Sequence, residues 1–287
     1  MGNLIYTVKT KKIKVSSRTS KIRINFFSDI HRDSDSCDSD RWLAQLKEWK
    51  RDETPDTYYM GIGDYHDFGS TSEKSKISKA DLHDDTIKAF NKISRKENAA
   101  FAHEIRQMNG RLLGLFEGNH HWHYNDTGKT STQELCEAMD CEYLGWLSYF
   151  VLQIEFSGKR QTAVDIVGCH GKGAGRRAGA TVNGVEDLKL IFPIADLYIM
   201  GHDHQRFCRP DSILYADKTG IIKIKQREQM LMRSGSYLKS YNPSEGGYAM
   251  NALMKPANLG SVSVEIQLCR DRKDGHDFTT KRLIGIV

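Results

Sequence analysis

The chain has 287 residues, 39% of them hydrophobic and 28% charged, with a formal net charge of +5. These values fit a soluble globular protein with a sizeable core and exclude a disordered or fibrous chain. No apolar stretch reaches membrane-span length, because the longest run, residues 144–154, is interrupted by Ser148 and Gln153. Residues 1–6 do not read as a secretory signal, so a cytoplasmic protein with its six cysteines reduced is expected. The mild positive charge fits a polyanionic partner without requiring one, and nothing in the sequence speaks for a protein partner.

In chain order, residues 1–20 are polar and basic, with Lys9, Lys11, Lys12, Lys14 and Arg18, and suit an edge strand or a loose arm. Ile22, Ile24, Phe26 and Phe27 read as a buried strand that ends at Ser28-Asp29-Ile30-His31. Trp42, Leu43, Leu46 and Trp49 recur at helical spacing behind an N-cap at Asp38 or Ser39. Residues 58–62 form a second strand, ending at Gly63-Asp64. A long helical region follows, with Leu82, Ile87, Phe90 and Ile93 on one face, then Phe101, Ile105 and Met108. Residues 112–116 are a third strand, ending at Gly118-Asn119-His120. Strands at 147–156 and 163–169 come next, the second ending at His170-Gly171, then a short helix over 186–192. Residues 197–200 end at Gly201-His202-Asp203-His204, and strands at 229–234, 248–253, 261–268 and 282–287 complete the chain. Strand–helix alternation followed by strands predicts one mixed α/β domain spanning 1–287, with two packed sheets and helices outside.

Five apolar strands therefore terminate in metal-ligand residue types: Asp29 and His31, Asp64, Asn119 with His120, His170, and His202 with His204. Strand C-termini are where open α/β folds gather their sites. Asp, Asn and His offer oxygen and nitrogen but no thiolate, which suits manganese, iron, zinc or nickel. An Asp-x-His or His-x-His pair in an extended strand points both side chains to one face. One such pair is weak evidence; five strand-end motifs in a compatible order are not.

Together Asp29-Ile30-His31, Gly63-Asp64-Tyr65-His66-Asp67, Gly118-Asn119-His120, His170-Gly171 and Gly201-His202-Asp203-His204 resemble the ordered motifs of the calcineurin-like metallophosphoesterases. The tail, with Ser234-Gly235-Ser236-Tyr237 and Gly247-Tyr248-Ala249, is more loosely similar to small stand-alone bacterial and phage members. The resemblance implies a four-layer αββα sandwich and two divalent metals, manganese foremost. One would be held by Asp29, His31, Asp64 and His204, the other by Asp64, Asn119, His170 and His202, with Asp64 bridging. It further implies attack by a metal-bridging hydroxide, with His120 as general acid oriented by Asp67. The family commonly has an acidic residue after Gly-Asn-His, where this chain has His121 followed by Trp122 and His123.

The loop Gly171-Lys172-Gly173-Ala174-Gly175-Arg176-Arg177 supplies backbone donors and two arginines that suit a phosphate. Arg176, Arg177 and His121 are the candidate substrate-binding residues, and Tyr65, Trp122 and Tyr124 are candidate stacking surfaces for bases. Protein phosphatases of the superfamily carry Asp-Arg-Gly after the second motif; here Asp67-Phe68-Gly69 lacks that arginine. The favoured expectation is a phosphodiesterase or nuclease acting on DNA, RNA or a nucleotide. A small-molecule phosphomonoesterase and a catalytically silent metal-binding scaffold are the alternatives.

Overall fold

The computed structural model describes residues 8–69, 74, 76, 83–172, 178–217, 222–241, 256–273 and 276–287. The predicted Arg176, Arg177 and the strand at 248–253 lie outside these residues. In chain order the elements are β1 (Lys9–Lys14), β2 (Lys21–Phe27), α1 (Ser39–Arg51), β3 (Thr57–Gly61) and α2 (Asp84–Glu104). Next come β4 (Leu112–Phe116), β5 (His123–Tyr124), β6 (Lys129–Thr130), α3 (Ser131–Ala138), β7 (Glu142–Gly145) and β8 (Leu147–Phe156). They are followed by β9 (Lys159–Cys169), α4 (Ala178–Ile191), β10 (Leu197–Met200), β11 (Arg206–Asp217), β12 (Lys223–Ser234), β13 (Val262–Lys273) and β14 (His276–Ile286).

Among the described residues these form two six-stranded mixed sheets, ordered β1-β8-β9-β10-β12-β11 and β14-β13-β2-β3-β4-β7, plus the small β5–β6 ribbon. Three apolar clusters fill the layers between them. Ile24, Phe26, Met60 and Leu113 of one sheet meet Phe150, Ile166, Ile199 and Met232 of the other. Trp42, Leu46, Phe101 and Leu135, from α1, α2 and α3, pack with Phe27, Tyr59 and Leu115 on the outer face of the second sheet. Val185 and Leu188 of α4 pack with Val167, Tyr198 and Leu231 on the first. The architecture is thus helix, sheet, sheet, helix. No helix among the described residues is long and apolar enough to cross a membrane.

Local chemistry explains the boundaries. Asp38 caps α1 by accepting from Arg41 N at 3.1 Å. β1 is an edge strand parallel to β8, and its lysines discourage further pairing along that edge. β11 was not legible in the sequence because Pro210 interrupts it. It pairs only with β12, and a sheet edge tolerates proline.

The α2 face requires a correction. Phe90 and Ile93 are 38% and 55% exposed, while Asn91, Ser94, Asn98 and Phe101 are buried. The polar residues go inward because they have distant partners. Asn91 Oδ1 accepts from Trp122 Nε1 at 2.7 Å, and Asn98 Nδ2 donates to the Ser131 carbonyl at 2.7 Å. They tie α2 to the chain that follows His120.

Strand direction sets the position of the site. β2, β3, β4 and β7 run parallel in one sheet, and β9, β10 and β12 run parallel in the other. Their registers bring Phe27, Gly61 and Leu115 level, and likewise Cys169, Met200 and Arg233. The loops leaving these C-termini carry the predicted motifs to one shared edge.

Candidate metal centre

Asp29 and His31 lie beyond the end of β2, and His202 and His204 beyond β10. The two-residue strand period therefore does not aim them. Their backbones are left-handed instead: φ is +50° at Asp29, +48° at His31, +52° at Asp64, +75° at His202 and +60° at His204. The other described non-glycine residues of this kind are Asp140 and Ser157. Asp, Asn and His enter this region more readily than most residues. Glycine serves the loops in two ways. Gly63 and Gly171 take φ of +99° and +104°. At Gly118 a Cβ would stand 2.1 Å from Asp64 Oδ1, so the backbone there must be bare.

Each carboxylate commits one oxygen to the scaffold and leaves the other facing the cleft. Asp29 Oδ2 accepts from Ser28 Oγ and from His202 N at 3.0 Å. Asp29 Oδ1 faces His204 Nε2 at 3.4 Å and His170 Nε2 at 3.9 Å. Asp64 Oδ1 accepts from His120 N at 3.0 Å. Asp64 Oδ2 lies 2.9 Å from His170 Nε2 and 3.9 Å from His31 Nε2, so a single oxygen faces both halves of the site. Asn119 Oδ1 is 2.9 Å from His170 Nε2 and 3.1 Å from His202 Nδ1. His170 Nδ1 donates to the Ile62 carbonyl at 2.8 Å, which in the neutral ring turns the Nε2 lone pair toward these oxygens.

Among the described residues three groups of donors result, each lying within 4.8 Å: Asp29, His31 and His204; Asp64, His170 and His202; and His31, Asp67 and His120. The first two suit divalent cations. Buried Asp29 Oδ1 and both His31 ring nitrogens have no hydrogen-bond partner, a costly state that a cation relieves. The electrostatics agree. Burial opposes charge on His170, yet Asp64 and Asp29 raise its pKa to about 9, so the two acids demand a positive charge between them. Burial likewise opposes ionisation of Asp64, but His170 and His31 bring it down to about 2. His202 is held below its ordinary value, first by burial and then by His170, which favours the neutral ring that can donate a lone pair.

In the third group, His120 Nδ1 and Asp67 Oδ1 are in direct contact, and His31 Nδ1 is 3.7 Å from the same oxygen. Burial opposes protonation of His120, but Asp67 and then Asp64 outweigh it and raise the pKa. His120 is thus kept protonated further toward neutral pH. Asp67 N in turn donates to Asp33 Oδ1 at 2.6 Å.

The sequence-predicted residues with described side chains converge on this edge, with one change of role. His121 turns inward: its Nδ1 donates to the Gly118 carbonyl at 2.7 Å and lies 3.6 Å from Glu117. The proposed stacking residues Tyr65 and Tyr124 are 3% and 0% exposed and belong to the interior.

Several supporting residues escaped the sequence. Glu117, fully buried, accepts from Thr130 Oγ1 (2.8 Å), Thr132 Oγ1 (2.7 Å) and Tyr143 OH (2.6 Å), and so anchors the chain just before Gly118. Lys74 Nζ donates to the carbonyls of Asn119 (2.7 Å) and His121 (2.8 Å). Ser236 Oγ and Tyr237 N both donate to the Asp29 carbonyl at 2.9 Å. Arg233, 1% exposed, donates through Nη1 to the Gly201 carbonyl (2.5 Å) and lies 3.6 Å from Asp203. The one advance signal was the Ser-Gly-Ser-Tyr stretch, whose sequence alone suggests no role.

No protein-family profile matches the sequence, and no curated protein matches it. Among solved structures, the chain is similar to vacuolar protein sorting 29 from Cryptosporidium parvum. That likeness has a TM-score of 0.37 and 9% identity over 92% of this chain and 98% of that one. It is also similar to a 5'-nucleotidase precursor from Thermus thermophilus, with a TM-score of 0.38 and 10% identity over 93% of this chain and 54% of that one. A protein of unknown function from Aquifex aeolicus gives a TM-score of 0.33 and 17% identity over 64% and 80%. At TM-scores below 0.5, none of these likenesses bears on what this chain does.

Proposed function

We propose that the protein is a dinuclear-metal phosphodiesterase acting on nucleic acid or a nucleotide. The observation that carries the reading is Asp64: one oxygen bonds the His120 amide and the other faces donors of both halves. Asp29, His31, Asp64 and His204 would hold one divalent ion, and Asp64, Asn119, His170 and His202 the other. When bound, the ions supply Lewis-acid charge to the phosphoryl oxygens and acidify the attacking water.

The remaining work falls to the chain itself. His120, kept protonated by Asp67, gives its proton to the leaving oxygen. Asp67 fixes the ring through Nδ1, so Nε2 is the atom that delivers it. Among the described residues, Arg32 and Lys74 are committed to protein groups. Arg32 binds Glu104 at 3.0 Å and Ser39 at 3.0 Å, and Lys74 holds two carbonyls. Support for a diester over a phosphoprotein comes from the sequence: Asp67-Phe68-Gly69 lacks the arginine of the protein phosphatases, and Lys172, Arg176 and Arg177 supply positive charge for a neighbouring phosphate.

The test is a manganese-supplemented panel of single- and double-stranded DNA, RNA, cyclic nucleotides and a chromogenic monoester and diester, run on wild type and His120→Ala. Diesters are expected to be hydrolysed faster than monoesters. The variant is expected to keep most of its metal and lose about 10²–10⁴-fold in rate, less with good leaving groups. A preference for monoesters throughout would replace the diesterase with a phosphomonoesterase. A fully metal-loaded protein inactive on every ester would leave the scaffold.

A further inference from the structure

Among the described residues, one exposed aromatic beside the site lies outside every motif. Gly145 ends β7 with φ of +67°, and its carbonyl accepts from Glu117 N at 2.9 Å. The next residue, Trp146, therefore leaves the sheet level with the start of Gly118-Asn119-His120. Trp146 is 55% exposed, while Trp42, Tyr65 and Tyr124 are buried. Trp122 is engaged with Asn91 and with the Phe90 ring at 5.5 Å. The His121 ring meets Trp146 edge to face, with centroids 5.4 Å apart and planes at 80°. His121 is itself fixed to the Gly118 carbonyl. The indole is thus braced from the side of the site, and much of its surface remains open to solvent.

We propose that Trp146, braced by His121, is a nucleobase-binding platform at the rim of the metal centre. This rests on the phosphodiesterase reading and specifies its substrate: an ester whose phosphate sits at the donor cluster while an adjoining base stacks on the indole. Every base has a π-face, so such a platform recognises nucleotides with little sequence preference. The inward turn of His121 acquires a purpose: it gives up direct contact with substrate and holds the surface that makes it.

Two measurements separate this idea from the one it rests on. The first compares thymidine 5'-(p-nitrophenyl phosphate) with methyl p-nitrophenyl phosphate, diesters that share a leaving group and differ by the nucleoside. Wild type is expected to prefer the thymidine ester in kcat/KM. Trp146→Ala should cut that selectivity ratio about five- to a hundredfold, the usual worth of one base–aromatic stack. Trp146→Phe should restore most of it. An unchanged ratio in Trp146→Ala would overturn the platform. The second is photocrosslinking of the wild-type protein to a dinucleotide containing 5-iodouracil, with the adduct located by mass spectrometry. An adduct on Trp146 supports the platform; adducts confined to other residues, or none, overturn it. If neither diester is hydrolysed, the catalytic reading has failed and the crosslink alone decides the base site.

Discussion

His66 offers a test of the packing around the centre that does not depend on catalysis. Its ring is 5% exposed, stacked on Phe68 at 4.6 Å and edge-on to Phe101 at 5.3 Å. Asp33 is 3.8 Å from its Nδ1. Burial pushes the pKa from 6.5 down to about 3. The folded value lies below the unfolded one, so the contribution to stability is fully present above about pH 6.5 and is lost as pH falls toward 3. Linkage puts the loss between about pH 8 and pH 5 at about 2 kcal/mol, because the unfolded ring takes up nearly one proton that the folded ring refuses. His66→Gln removes the titration and keeps a polar side chain of similar reach. Urea unfolding of both proteins in chelator, so that metal release does not enter, should give curves that converge by about 2 kcal/mol as the pH is lowered. The difference at pH 8 reports packing loss; its change between pH 8 and pH 5 reports the titration. Parallel curves would mean that His66 takes its proton in the folded state, and the burial argument would be wrong.

Three further outcomes are expected. Gly118→Ala would drive a methyl group into Asp64 and should weaken manganese binding by calorimetry about tenfold or more, whereas Gly179→Ala, which meets nothing within 4 Å, should leave it unchanged. Asp67→Asn removes the partner that raises the His120 pKa. The activity limb that needs protonated His120 should therefore move to lower pH in a rate profile, and the maximal rate should fall. Arg233→Met strands the buried Asp203 carboxylate and should cost about 3–5 kcal/mol in thermal unfolding, with Asp203→Asn in the same chain recovering a large part.

Two of the strands that deliver the ligands, β4 and β10, were legible because they are buried on both faces and run apolar until the turn. Residues 112–116 and 197–200 match the structure to the residue. The donor types were legible because the motifs sit where those strands stop. What could not be read depends on partners far along the chain. Asn91 and Asn98 look like the wet side of α2 until Trp122 and the Ser131 carbonyl arrive to bond them. Glu117 looks like an ordinary surface acid until three hydroxyls surround it. Spacing also misled on mechanism: Asp29 and His31 share the site through left-handed backbone, which no alternation pattern encodes.

That backbone restricts which side chains the centre can ever carry. A position such as Asp29, His31, Asp64, His202 or His204 must satisfy two filters, one for lone pairs and one for φ near +50° to +75°. Glutamate and cysteine pass the first and fare poorly at the second, at a cost of order 1–3 kcal/mol for each left-handed residue that lacks a compensating side chain. Asparagine passes both. Neutral drift at these five positions should therefore run between aspartate, asparagine and histidine. A redesign toward a thiophilic metal would meet resistance from the main chain before any question of coordination arose.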